Sequence, residues 1–63
     1  MKFISEYNEI DCWRSIAYSL TGAQTGQMNE WQCEMMIATA LGKTPTGGQN
    51  ELDLLRSILS AIP

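Results

Sequence analysis

One short phrase occurs three times in this chain, at a fixed interval of 21 residues. Asn8-Glu9-Ile10-Asp11, Asn29-Glu30-Trp31-Gln32 and Asn50-Glu51-Leu52-Asp53 share it. Each reads as the start of a helix. The asparagine is the N-cap, and its side-chain carbonyl accepts an N–H of the first turn. The Asp or Gln three residues on reaches back to the asparagine backbone, a variant of the capping box. Three capped starts in 63 residues leave room for three short helices and two connectors.

The register extends past the caps. Ile16, Ile37 and Ile58 align, as do Leu20, Leu41 and Ile62, and Cys12, Cys33 and Leu54. Arg14 aligns with Arg56 and Ser15 with Ser57, and both connectors carry a Thr-Gly pair, Thr25-Gly26 and Thr46-Gly47. Internal repetition and convergence of well-capped amphipathic helices both account for this pattern.

The predicted helices run Glu9 to Thr21, Glu30 to Leu41 and Glu51 to about Ala61. In the first, Ile10, Trp13, Ile16, Ala17 and Leu20 follow the 3.6-residue period. Tyr7 and Cys12 can form a hydrophobic staple, and Gly22 suits the C-terminal end. An earlier start at Ser5, with Phe3 and Ile4 extending the apolar stripe, is also compatible with the sequence. In the second, Met28 and Cys33 form the equivalent staple and Gly42 closes the helix. Trp31, Cys33, Met35, Met36, Ile37, Ala38, Ala40 and Leu41 cover most of its circumference, which predicts the most enclosed element, with Ile37 buried. In the third, Leu52, Leu54, Leu55, Ile58, Leu59 and Ile62 span about half the circumference, wider than one intrachain contact needs. The connectors, Ala23 to Met28 and Lys43 to Gln49, are polar and glycine-bearing, and long enough for antiparallel neighbours.

Size then bears on assembly. A chain this short buries about 60% of the surface its unfolded form exposes, so disulfides, a metal or oligomerisation usually supplement the core. Cys12 and Cys33 are the two cysteines, and there is no histidine. That set cannot complete a four-ligand zinc site without carboxylates or a second chain. Lys2 is followed by only two apolar residues before Ser5-Glu6, so no signal peptide is read, and no apolar run approaches the roughly 20 residues of a membrane span. The cysteines are expected to be reduced. The expectation is an all-α single domain over residues 1–63, three short helices in a small bundle completed by homodimerisation. Trp13, Trp31, Met35, Met36, Leu52, Leu55, Leu59 and Ile62 are the candidate interface residues, being large, adaptable or surplus to one core.

The same residues point away from most chemistry. Cys12 and Cys33 have no histidine to activate them and lie in apolar stripes. Glu9, Asp11, Glu51 and Asp53 occupy first helical turns, where they complement the helix dipole. Gly47-Gly48 is followed by Gln49-Asn50 and lacks the Lys-Ser/Thr of a phosphate loop; at most its backbone cradles an anion at the third helix. Asp11 with Arg14, and Asp53 with Arg56, suit exposed i,i+3 pairs. No catalytic, cofactor-binding or metal-binding residue is assigned, and the chain is read as non-enzymatic. A small nucleic-acid-binding regulator of the helix-turn-helix kind is the alternative. The net charge of −3 weighs against it, as do four scattered basic residues, Lys2, Arg14, Lys43 and Arg56. The second helix would be the reading helix, and it carries Glu30 and Glu34 with no basic residue.

The opening MKFISEYNEIDCWRSIAYSL and the length of the chain resemble the small proteins encoded in the exo–xis region of lambdoid bacteriophages, along the whole sequence. The resemblance implies an early accessory protein made in the cytoplasm of an infected bacterium. It implies a role in favouring lytic development and disturbing the host cell cycle, through contact with a host or phage protein. It brings no site residues with it.

Overall fold

The computed structural model describes residues 2–63, and three α-helices account for most of them: α1 (Glu9–Thr21), α2 (Glu30–Ala40) and α3 (Glu51–Ala61). A 3₁₀ turn over Ile4–Glu6 precedes α1. The asparagines are the caps. Asn8, Asn29 and Asn50 all have extended backbone, and each side chain accepts the N–H of the residue three on, at 2.9, 2.8 and 2.8 Å. The alternative start at Ser5 is excluded, because Ser5 lies inside the separate 3₁₀ turn. The return bond forms in the first two helices, from the Asn8 N–H to Asp11 and from the Asn29 N–H to Gln32. At α3 it is absent, and Asp53 instead sits 3.8 Å from Arg56.

Glycine ends two helices for the same steric reason. Gly22 has φ +72° and Gly42 φ +86°, the left-handed region that a side chain disfavours. The Gly22 N–H donates to Tyr18 O, a single-bond αL cap. After α2, Gly42 N donates to Thr39 O and Lys43 N to Ala38 O, the paired bonds of a Schellman motif. Leu41 is therefore the cap residue of α2 and not part of its helical body.

Helix α2 is central: α1 and α3 each pack on it, and no Cα atom of α1 comes within 8 Å of one in α3. The core cluster is Ala17 from α1 with Cys33 and Ile37 from α2, flanked by Trp13, Met28, Met36, Leu41 and Ile58. Leu54 of α3 is fully buried as well. Residues 22–29 are tied down by Thr25, a buried threonine whose hydroxyl donates to Arg14 O, while Arg14 Nε donates to Met28 O, both at 2.8 Å. This replaces the expected Arg14–Asp11 pair; Asp11 is met by Lys2 at 2.9 Å instead.

The helices do not pack antiparallel. The first residue of α1, Glu9, reaches the first residue of α2, Glu30, and Glu30 and Glu34 meet the first residue of α3, Glu51. At the other end of α1, Thr21 Oγ1 lies 3.3 Å from Met36 Sδ, in the second half of α2. The connectors thus carry the chain back to the end where each helix began. Their reach permits it: residues 22–29 can extend ~26 Å, against ~16 Å for an 11-residue helix. No helix among the described residues is long and apolar enough to cross a membrane.

Candidate functional site

Two features stand apart from the core. One is apolar surface. On α3, Leu52, Leu55 and Leu59 recur at three- and four-residue spacing and form one stripe, and Ile62, the extended cap residue just past the helix, follows them in sequence. Leu54 and Ile58 take the adjacent face toward α2, so the stripe faces outward, with Leu52 54%, Leu59 69% and Ile62 56% exposed. On α2, Met35 and Met36 line a groove of about 420 Å³ with Thr21, Gln32, Thr39 and Ala40. This corrects the picture of α2 as enclosed all round, because Gln32, Thr39 and Ala40 are exposed and the two methionines only half-buried.

The eight candidate interface residues therefore divide. Trp13 packs on the core cluster, and Trp31 donates its indole N–H to Gln49 O at 3.0 Å, anchoring the second connector. Met35 and Met36 share the α2 groove; Leu52, Leu55 and Leu59 of α3 with the cap residue Ile62 form the outward stripe, with Leu55 half-buried, and it contributes nothing to the groove lining. Ile16 and Leu20 of α1 are also about half exposed, although Ile37 at the equivalent repeat position is 3% exposed. Cys33 is buried, and burial pushes its thiol above the ordinary range, which suits an inert core group; Cys12 is exposed, and both are free.

The second feature is a cluster of glutamates where the three helices begin. Carboxylate oxygens of Glu30, Glu34 and Glu51 lie within 4.8 Å of one another. Glu9 adds a fourth carboxylate beside Glu30, and Trp13 Nε1 is 3.5 Å from Glu9 Oε2. Glu34 is fully buried, and neither of its oxygens has a hydrogen-bond partner. Burial first, then the charges of Glu51, Glu30 and Glu9, push its carboxyl up to about 7. Burial likewise raises Glu30, reinforced by the hydrogen bond with Glu9 and the charge of Glu51. Two carboxylate charges at this separation repel by roughly 3 kcal/mol at an effective dielectric of ~20. The same cluster makes the start of α3 a poor place for an anion.

The glutamates Glu9, Glu30 and Glu51 hold the same place in the 21-residue phrase, directly after the cap. The sequence pattern reads Glu9 and Glu51 as first-turn residues that complement the helix dipole, and Glu30 and Glu34 only as acidic residues of the second helix; it does not bring the four together. A signal for Glu34 was present: Ile37, Ala38 and Leu41, three, four and seven residues on, place it in the middle of an apolar face.

No protein-family model matches the chain, and neither the curated proteins nor the solved structures gave a match.

Proposed function

We propose that this protein acts without catalysis, through protein–protein contact, and that its first partner is a second copy of itself. The observation that carries this reading is the α3 stripe, Leu52, Leu55 and Leu59 on one helical face with Ile62 just past its end, of which Leu52, Leu59 and Ile62 are more than half exposed. The intrachain core is correspondingly thin, with Ala17, Cys33, Ile37, Ala38 and Leu54 as its buried apolar residues. A symmetric dimer through α3 would cover the stripe on both copies at once. The Met35–Met36 groove offers a separate adaptable surface for a host or phage protein, since methionine fits irregular partners.

Together with the resemblance to exo–xis region proteins, this supports an early phage accessory protein of the host cytoplasm that favours lytic development and affects the host cell cycle. Nucleic-acid regulation has less support. Lys2 and Arg56 are paired with Asp11 and Asp53, and Arg14 is engaged by the Met28 carbonyl, so three of the four basic side chains are already committed. Sedimentation equilibrium at micromolar concentration tests self-association, with twice the chain mass as the expected result and a monomer as the result that sinks it. Salt-sensitive binding to duplex DNA in an anisotropy titration would favour the regulator instead.

A further inference from the structure

We infer that Glu30, Glu34 and Glu51 form a binding site for a hard divalent cation, of calcium-like size, between the first turns of α2 and α3. Three carboxylate oxygens, two from α2 and one from α3, lie within 4.8 Å of one another. A calcium ion holds oxygen donors at ~2.4 Å, which sets neighbouring donors ~3.4 Å apart and opposite donors ~4.8 Å apart. Separations of no more than 4.8 Å are compatible with three donors of such a shell. The donors are all oxygen, which selects calcium, magnesium or manganese over the softer metals. Magnesium demands stricter octahedral geometry, so calcium is the better match for three side chains held by two helices.

Glu34 supplies the independent observation. Acidic side chains often gather on a surface with no ligand. Glu34 is different, being fully buried, with both oxygens lacking any hydrogen-bond partner and its carboxylate directed at Glu30 and Glu51. An unpaired buried charge is among the most costly arrangements in a protein interior. No cationic side chain answers it: the ion pairs among the described residues are Lys2–Asp11 and Arg56–Asp53, and neither reaches the cluster. Glu9, beside Glu30 at the start of α1, adds negative charge at the rim and would strengthen attraction for a cation. A bound ion would pin the starts of α2 and α3 together and, through Glu9, draw in α1.

The test uses the full chain, freed of metal by chelation and exchanged into chelator-free buffer at about pH 7.5, where glutamates are normally ionised. Thermal midpoints are measured in millimolar CaCl₂ and in KCl of the same ionic strength. The expected result is a rise of about 5 °C or more in CaCl₂ beyond that in KCl. Terbium provides a second readout, with Trp13 and Trp31 as sensitisers and calcium as competitor. Glu34→Gln should weaken calcium binding at least tenfold, and Glu51→Gln, at an exposed position, should do the same if Glu34→Gln fails to fold. Glu6→Gln, in the 3₁₀ turn, should leave binding unchanged. Equal midpoints in CaCl₂ and KCl would overturn the site, as would an undiminished calcium response in the Glu51→Gln variant.

Discussion

At the scale of single residues, Glu34 dominates the pH behaviour expected of this chain. Its carboxyl is raised from 4.5 to about 7 in the folded state, by burial and then by Glu51, Glu30 and Glu9. A carboxyl raised on folding binds its proton more tightly in the native state. Its stabilisation is therefore complete below the unfolded pKa and lost as pH rises from about 4.5 through about 7. A shift of this size corresponds to a few kcal/mol, at ~1.4 kcal/mol per unit. In chelator, stability should fall across that window, and Glu34→Gln should flatten the fall and be the more stable protein at pH values above it. Urea midpoints at several pH values measure both. A wild-type profile that stays flat or rises through the window would refute the assignment. Asp11 acts in the opposite sense: the hydrogen bond from Lys2, then that from the Asn8 backbone, lowers its pKa, so its contribution is lost as pH falls. Ile37, 3% exposed in the core cluster, makes a simpler prediction. Ile37→Ala should cost about 2–5 kcal/mol, and an unchanged denaturation midpoint would contradict the packing described.

At the scale of elements, the helix starts were the most legible part of the sequence, because a cap is a contact between residues three apart. Asn8, Asn29 and Asn50 stand where the phrase put them. The packing direction was not legible. Connector length permits several arrangements, and the contacts that choose among them, such as Glu9 with Glu30 and Thr21 with Met36, join residues 21 and 15 apart. Repeat register also failed to predict environment. Ile37 is buried on the central helix, while Ile16 is exposed on a flanking one, since only α2 has neighbours on two sides. The caps themselves now divide by geometry. Replacing any of the three asparagines by Ala should cost about 1 kcal/mol. Gln32→Ala should add a loss at α2 by removing the bond from the Asn29 N–H, whereas Asp53→Ala has no such bond to lose at α3. Chemical denaturation of this set would separate the complete boxes from the partial one. No loss at Asn29→Ala would show that the α2 cap contributes nothing to stability.

At the scale of the whole molecule, the arrangement is slightly open. The Cα radius of gyration is 11.7 Å, against ~10.6 Å for a compact chain of this length, consistent with α1 and α3 both packing on α2 while their backbones stay apart. Such a molecule leaves its flanking helices with outward apolar faces, and α3 has the more continuous one. If a second copy covers the Leu52–Leu55–Leu59–Ile62 stripe, placing a charge in it should disrupt association and leave the chain's own core intact, because Leu54 and Ile58 occupy the face toward α2. Leu59, 69% exposed, is the position to change. Leu59→Glu should weaken self-association by at least tenfold, about 1.4 kcal/mol, through burial of an unpaired charge at the interface. Its helical circular dichroism at high concentration should match that of the wild type. The wild-type thermal midpoint should rise with protein concentration, as mass action requires of a dimer, while that of Leu59→Glu should not. Gln32→Glu, in the α2 groove, should leave the mass unchanged if the groove serves another partner. A wild-type midpoint independent of concentration would remove the dimer, and a Leu59→Glu protein that still sediments at twice the chain mass would move the interface off α3.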